Sequence, residues 1–175
     1  MIDLDAASVL LQWATGGLFF LWVTGRRREV GIGYGWTMRI TFGLMAAGAV
    51  VVGFLVDTEP VREVAGMGVV VATTAAMVVS VVRRRAGVAG QRGSEERRMA
   101  RVAAMTGIDR EGRTFDGGPE FPPYLDLVAP IIGLVGLVAA GLAAGDPAAL
   151  SVGRMLVGAV FLGAVSDAML LGHWY

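Results

Sequence analysis

Long apolar stretches separated by short polar breaks set the pattern of this chain. Apolar runs cover about 6–24, 36–56, 64–82, 125–144 and 152–174. A helix needs about 20 mostly apolar residues to cross ~30 Å of hydrocarbon, so each run predicts one spanning helix. Arg26, Arg27 and Arg28 follow the first run, and Arg83, Arg84 and Arg85 follow the third. The expected fold class is an all-α membrane protein, a single transmembrane domain over 1–175 built as a bundle of five transmembrane helices.

The breaks differ in character. The segment 25–35 is rich in arginine and glycine, whereas Asp57-Thr58-Glu59-Pro60 and Gly145-Asp146-Pro147 are short turns with acidic residues. The loop 83–123 is long enough for structure of its own. Gly87, Gly90 and Gly93 make a flexible lead, and Ser94 is a candidate N-cap with Glu95 and Glu96 in the first turn. Met99, Val102, Ala103 and Met105 can share an apolar side, and Gly107 suits a C-cap. The pattern predicts a short amphipathic helix over 95–106, lying on the inner leaflet or solvated in the loop. Gly117-Gly118-Pro119 and Pro122-Pro123 then predict an extended approach to the fourth span.

Composition supports the membrane class, with hydrophobic residues at 55% and a mean hydropathy of +0.63. Cysteine is absent, which excludes disulfides, thiolate nucleophiles and cysteine metal sites within the chain. All 15 basic residues are arginine, and asparagine is also absent. That bias toward GC-rich codons points to a GC-rich bacterial or archaeal genome.

The net charge is zero, but the charges are segregated. Beside the two triplets, Arg92, Arg97, Arg98, Arg101, Arg110 and Arg113 fall on one set of loops; the other side holds Arg62, with Arg154 just inside the fifth span. The positive-inside rule then predicts a multi-pass protein of the inner (plasma) membrane, N-terminus outside and C-terminus cytoplasmic. Acidic Asp3 and Asp5 stand where a cleavable signal peptide carries basic residues, so the first span is expected to be retained. The arginines serve topology, and no nucleic-acid partner is expected.

Asp167 is the leading candidate for chemistry. A carboxylate inside a span costs about 2.5–3.5 kcal/mol on insertion scales, so it must face protein or water. Ala159, Gly163 and Asp167 share one helical face, whose small residues let another helix approach. The functional reading is a proton- or ion-handling site; the structural one is a buried ion pair or hydrogen bond. Arg39 and Asp126 lie at related depths, and an arginine side chain can bridge from Arg39 to Asp167. Arg154 precedes Asp167 by 13 residues, ~20 Å along a helix, and is expected to snorkel outward.

Other stripes predict packing. Gly68, Ala72, Ala76 and Ser80 share a face of the third span, Ser8, Gln12 and Gly16 one of the first, and Gly43 and Ala47 one of the second. Pro130 predicts a kink or weak point in the fourth. His173 is the sole histidine, and Gly172-His173-Trp174-Tyr175 predicts an interfacial aromatic anchor. No catalytic residue, metal site or cofactor is predicted. Gly31-Ile32-Gly33-Tyr34-Gly35 lacks a preceding strand for a phosphate loop, and 109–120 has Thr114 where a calcium loop requires glycine.

The closing run Ala168-Met169-Leu170-Leu171-Gly172-His173-Trp174-Tyr175 resembles a segment of uncharacterised multi-spanning membrane proteins of GC-rich bacteria. That resemblance covers only the end of the chain, implies no activity, and implies a chain that continues past Tyr175. The expected function is non-enzymatic: a subunit or scaffold of a larger membrane complex, or the N-terminal part of a longer membrane protein. The expected partners are the lipid bilayer and other membrane subunits or helices. The alternative is a small transporter or proton/ion-conducting protein that uses Asp167. A membrane enzyme lacks a nucleophile–base pair or metal cluster in the sequence.

Overall fold

The computed structural model describes residues 5–26, 31–84, 87–88, 90–107, 118–145 and 147–174, without the side chains of Gln91 and Trp174. Asp3, Arg27, Arg28, Arg85, Arg110, Arg113, Thr114, Gly117, Asp146 and Tyr175 therefore lie outside the described residues.

Among the described residues the chain is all-helical, with an isolated bridge between Val88 and Phe121 but no strand. The helices are α1 (Ala6–Gly25), α2 (Ile32–Val56), α3 (Pro60–Val82), α4 (Gln91–Thr106), α5 (Val128–Ala143) and α6 (Ala148–Trp174). A 3-10 turn, Pro123–Leu127, leads directly into α5. Among the described residues, five segments are long and apolar enough to cross a membrane, the 3-10 turn and α5 counting as one.

Several helices run further into the polar breaks than their apolar runs. α2 starts at Ile32, so the glycine-rich segment becomes its first turn. α3 starts at Pro60, whose fixed φ suits the first helical position, and the Glu59 carboxylate accepts from the Arg62 N–H. Pro130 produces no mid-helix break. It falls in the first turn of α5, where a missing N–H leaves no intrahelical bond unmade, and the change in helix type comes just before it.

Of the five long apolar segments, α1 is the most buried and α6 the least. α1 packs chiefly on α6 and α2 and also on α5, while α3 closes the far side against α5 and α2. Leu11, Leu18, Met38, Phe42, Val69 and Leu137 fill the centre. With chain direction alternating, α1, α3 and α6 run from the end of the acidic turns toward the end of the arginine loops, and α2 and α5 return. α1 and α6 are thus parallel neighbours.

Their contact explains one predicted stripe. A methyl group on Gly16 would overlap the Ala159 carbonyl, and one on Gly163 would overlap the Gly16 backbone, so the two backbones touch. On α3, Gly68 abuts Ile132 of α5, Ala76 is buried, and Ala72 packs against the core. The outer surface is apolar, with Leu44, Leu55, Val71, Val157, Phe161 and Met169 exposed. With five helices this long and apolar, that surface is consistent with a multi-pass membrane protein.

α4 begins four residues before the predicted start. Gly90, at φ 76°, is its N-cap in place of Ser94, whose hydroxyl instead donates to the Gly90 carbonyl inside the helix. The Gly90 N–H donates to the Glu120 carboxylate, so a distant acid meets the need that a local cap would serve. Gly107, at φ 68°, caps the other end as expected. Met99, Val102 and Ala103 are half-buried, but Met105 is exposed and leaves their shared side.

Candidate functional site: two buried polar clusters

The first cluster sits at the arginine-loop end. Arg39 comes two turns into α2, and Gly35, one turn earlier, gives its guanidinium room: a Cβ there would lie 3.0 Å from Nη1. Asp126 is carried on the 3-10 turn opened by Pro123. The guanidinium clasps it twice, Nε donating to Oδ1 at 2.8 Å and Nη2 to Oδ2 at 2.7 Å. Nη1 donates to the Ser80 hydroxyl at the end of α3, at 3.3 Å, and Ser80 also accepts from Trp36 Nε1 at 3.0 Å. The Phe121 ring caps the arginine, 4.6 Å from its centroid to Cζ. Arg39 and Asp126 are only 5% and 8% exposed.

Asp167 is elsewhere. The expected bridge to Arg39 does not form; Asp167 instead accepts a hydrogen bond from the Tyr34 hydroxyl at 2.5 Å. Similar depth in the bundle does not fix direction around it. α6 packs on α1 and α5, whereas Arg39 points toward α3 and the start of α5. The proposed trio is therefore two separate pairs. Between them lies a cavity of about 30 Å³, lined by Tyr34, Gly35, Arg39, Ser80, Phe121 and Asp126 among others. That volume holds about one water.

The second cluster, at the opposite end, was not singled out in the sequence. Arg62 in the first turn of α3 is 3% exposed and Glu63 2%. Arg62 Nη1 donates to Asp5 Oδ2 at 2.7 Å and to the Ser8 hydroxyl at 3.1 Å, Nε donates to Glu63 Oε1 at 2.9 Å, and Nη2 reaches the Asp57 carbonyl. Asp5 also caps α1 through the Ser8 N–H. One guanidinium thus ties together the start of α1, the end of α2 and the start of α3. Gly53 of α2 packs on the Glu63 carboxylate, where a methyl group would overlap it. The available signal was Pro60, which places Arg62 and Glu63 inside a helix rather than in a turn.

Further polar links join α1 to α6. Gln12 Nε2 meets the Met155 sulfur at 2.8 Å, and Trp13 Nε1 donates to the Ser166 hydroxyl at 2.6 Å. Arg154 is exposed, and His173 is exposed in the last turn of α6. Among the described residues no three His, Asp or Glu side chains are grouped to hold a metal ion. Comparison with protein-family models, with curated proteins and with solved structures finds no match for this chain.

Proposed function

We propose that this chain is a non-enzymatic integral membrane protein, a structural subunit or scaffold within a larger membrane complex or the N-terminal part of a longer membrane protein. The bonding of its buried charges carries this reading. Arg39 is held by Asp126, Asp167 by Tyr34, and Arg62 by Asp5 and Glu63, so each acid or base inside the bundle joins one helix to another or closes a helix start. Charges tied in this way specify helix order and register. The neighbouring cavity has room for about one water.

The positive-inside rule orients the protein in the inner membrane with the arginine loops and the C-terminal end of α6 in the cytoplasm. Its partners are the lipid bilayer and further membrane helices that cover part of the exposed apolar surface. α4 lies along the cytoplasmic leaflet, its exposed Arg97, Arg98 and Arg101 toward anionic headgroups.

Native gels of membranes extracted in a mild detergent test the reading. The chain is expected in a species larger than its own 18.3 kDa and the micelle together allow. Migration only as a monomer removes the complex. One observation favours the alternative of proton or ion conduction: Tyr34, the partner of Asp167, lines a small cavity together with Arg39, Ser80 and Asp126. Reconstituted wild-type protein that conducts, and an Asp167→Asn variant that folds but does not, would replace the scaffold reading with that one.

A further inference from the structure

α5 and α6 meet near the acidic-turn end, where Gly141 touches Val152. Toward the arginine-loop end a cleft of about 370 Å³ lies between them. α1 supplies its floor through Thr15 and Phe19, and the walls are Ile131 and Leu134 of α5 and Leu156 and Val160 of α6. Phe19, Ile131 and Val160 are exposed, so the cleft opens on the outer apolar surface. Beside Thr15, whose hydroxyl is buried against Gly133, the lining is apolar.

A chain of contacts leads from the floor of the cleft to the end of α1. The Phe19 and Trp22 ring centroids are 6.0 Å apart, and Arg26 Cζ lies 4.7 Å from the Trp22 centroid. The spacing of Phe19, Trp22 and Arg26 keeps all three on one helical face, and Arg26 stands ~10 Å beyond Phe19 along the axis. Arg26 is exposed and makes no ion pair among the described residues. On the facing wall, Leu127 also lines the cleft, and Tyr124 precedes it by three residues in the 3-10 turn. Residues so spaced eclipse in a 3-10 helix, so the exposed Tyr124 stands above Leu127 on the same side. The cleft thus rises from mid-bundle to a boundary flanked by a guanidinium, an indole and a phenol, groups suited to a membrane interface.

We infer that this cleft binds one phospholipid of the leaflet at the arginine-loop end, with an acyl chain on α1 between α5 and α6 and the phosphate at Arg26. Charge and shape together select this occupant. The exposed guanidinium calls for an anion at the boundary, and the lining below it calls for an apolar chain. A phospholipid joins the two in one molecule. A second copy docked symmetrically would set one concave cleft against another and leave both unfilled. This inference rests on the membrane reading but not on membership of a complex, and the isolated chain tests it.

Purified protein in a neutral detergent is titrated with phosphatidylglycerol and with diacylglycerol of the same chains, and bound lipid is counted by native mass spectrometry. Phosphatidylglycerol is expected to bind about tenfold more tightly than diacylglycerol, the scale of a charge-assisted contact. Arg26→Gln is expected to remove that preference, whereas Arg154→Gln, near the other end of α6, leaves it intact. Val160→Trp, which adds bulk at the exposed wall, is expected to weaken binding of both lipids. Phosphatidylglycerol with a diazirine midway along one chain should crosslink to Ile131, Leu134, Leu156 and Val160 rather than to the exposed Val71 and Val78 of α3. Equal binding of the two lipids, or the same loss in Arg154→Gln as in Arg26→Gln, overturns the phosphate contact. Crosslinks spread evenly over α3, α5 and α6 overturn the cleft, and this map carries the test if Val160→Trp fails to keep its helical circular dichroism. Recovery of the chain as a dimer or with a partner helix, and with no bound phospholipid, overturns the occupant.

Discussion

The Arg39 guanidinium grips the Asp126 carboxylate with two parallel hydrogen bonds, at 2.8 and 2.7 Å, joining α2 to the turn that opens α5. This fork-on-fork geometry sets direction as well as distance, which a lysine cannot do. Ser80 and Phe121 complete the shell, so one side chain reports on the end of α3 and on the approach to α5 together. Its place at the arginine-loop end mirrors that of Arg62 at the other. Each end of the bundle is thus locked by one arginine with partners on two or more segments.

Breaking the first lock on one side should be worse than removing it. Arg39→Met or Asp126→Leu alone leaves a buried charge without its partner, and each is expected to cost about 3–5 kcal/mol. The double variant should recover much of that loss. A thermal or denaturant series in detergent provides the cycle, and additive losses would show that the two residues do not act as a pair. Arg39→Lys should fall between wild type and Arg39→Met.

The Tyr34–Asp167 bond predicts a separate coupling. Tyr34→Phe removes the donor and leaves a buried carboxylate, at an expected cost of about 1–3 kcal/mol. Asp167→Asn should cost less, since its amide oxygen still accepts from the phenol. The same unfolding series should give strong coupling between positions 34 and 167 and little between 39 and 167. The reverse order would restore the bridge that depth alone suggested.

The spans were legible because their signal is simple: apolar length is what a bilayer demands, and five segments of the structure meet it. Polar ends were harder. Arg62 and Glu63 read as loop residues until Pro60 is recognised as a helix start, and Gly31 to Gly35 read as a linker although Tyr34 serves Asp167 there. Depth placed Arg39 near both carboxylates, and only the packing order around α1 decides which one it holds. The start of α4 was missed for a related reason, since its cap comes from Glu120 across the loop rather than from Ser94 beside it.

Glycines divide into those that touch a backbone and those that face open space. Gly163→Leu should separate α1 from α6, because even a methyl group there overlaps Gly16. A loss of at least about 1–3 kcal/mol is expected from overpacking. Gly172→Ala, with nothing within 4 Å of its Cβ position, should be neutral or add up to about 1 kcal/mol through helix propensity. Equal effects at the two sites, measured in parallel melts, would contradict the α1–α6 contact.

Orientation is open to direct test because the chain has no cysteine, so one introduced thiol is the only thiol. Thr58, between α2 and α3, is exposed at the end that the positive-inside rule puts outside; Ala144, at the end of α5, is exposed at the same end. Gly90 is a poor site on the other side, since its φ of 76° disfavours a side chain, but Ser94 in α4 is exposed. An impermeant maleimide should label Thr58→Cys and Ala144→Cys in intact cells, and Ser94→Cys only after permeabilisation. Labelling of Ser94→Cys in intact cells would invert the protein. The Arg39–Asp126 lock would then face outside, and the Arg62 lock would face the cytoplasm.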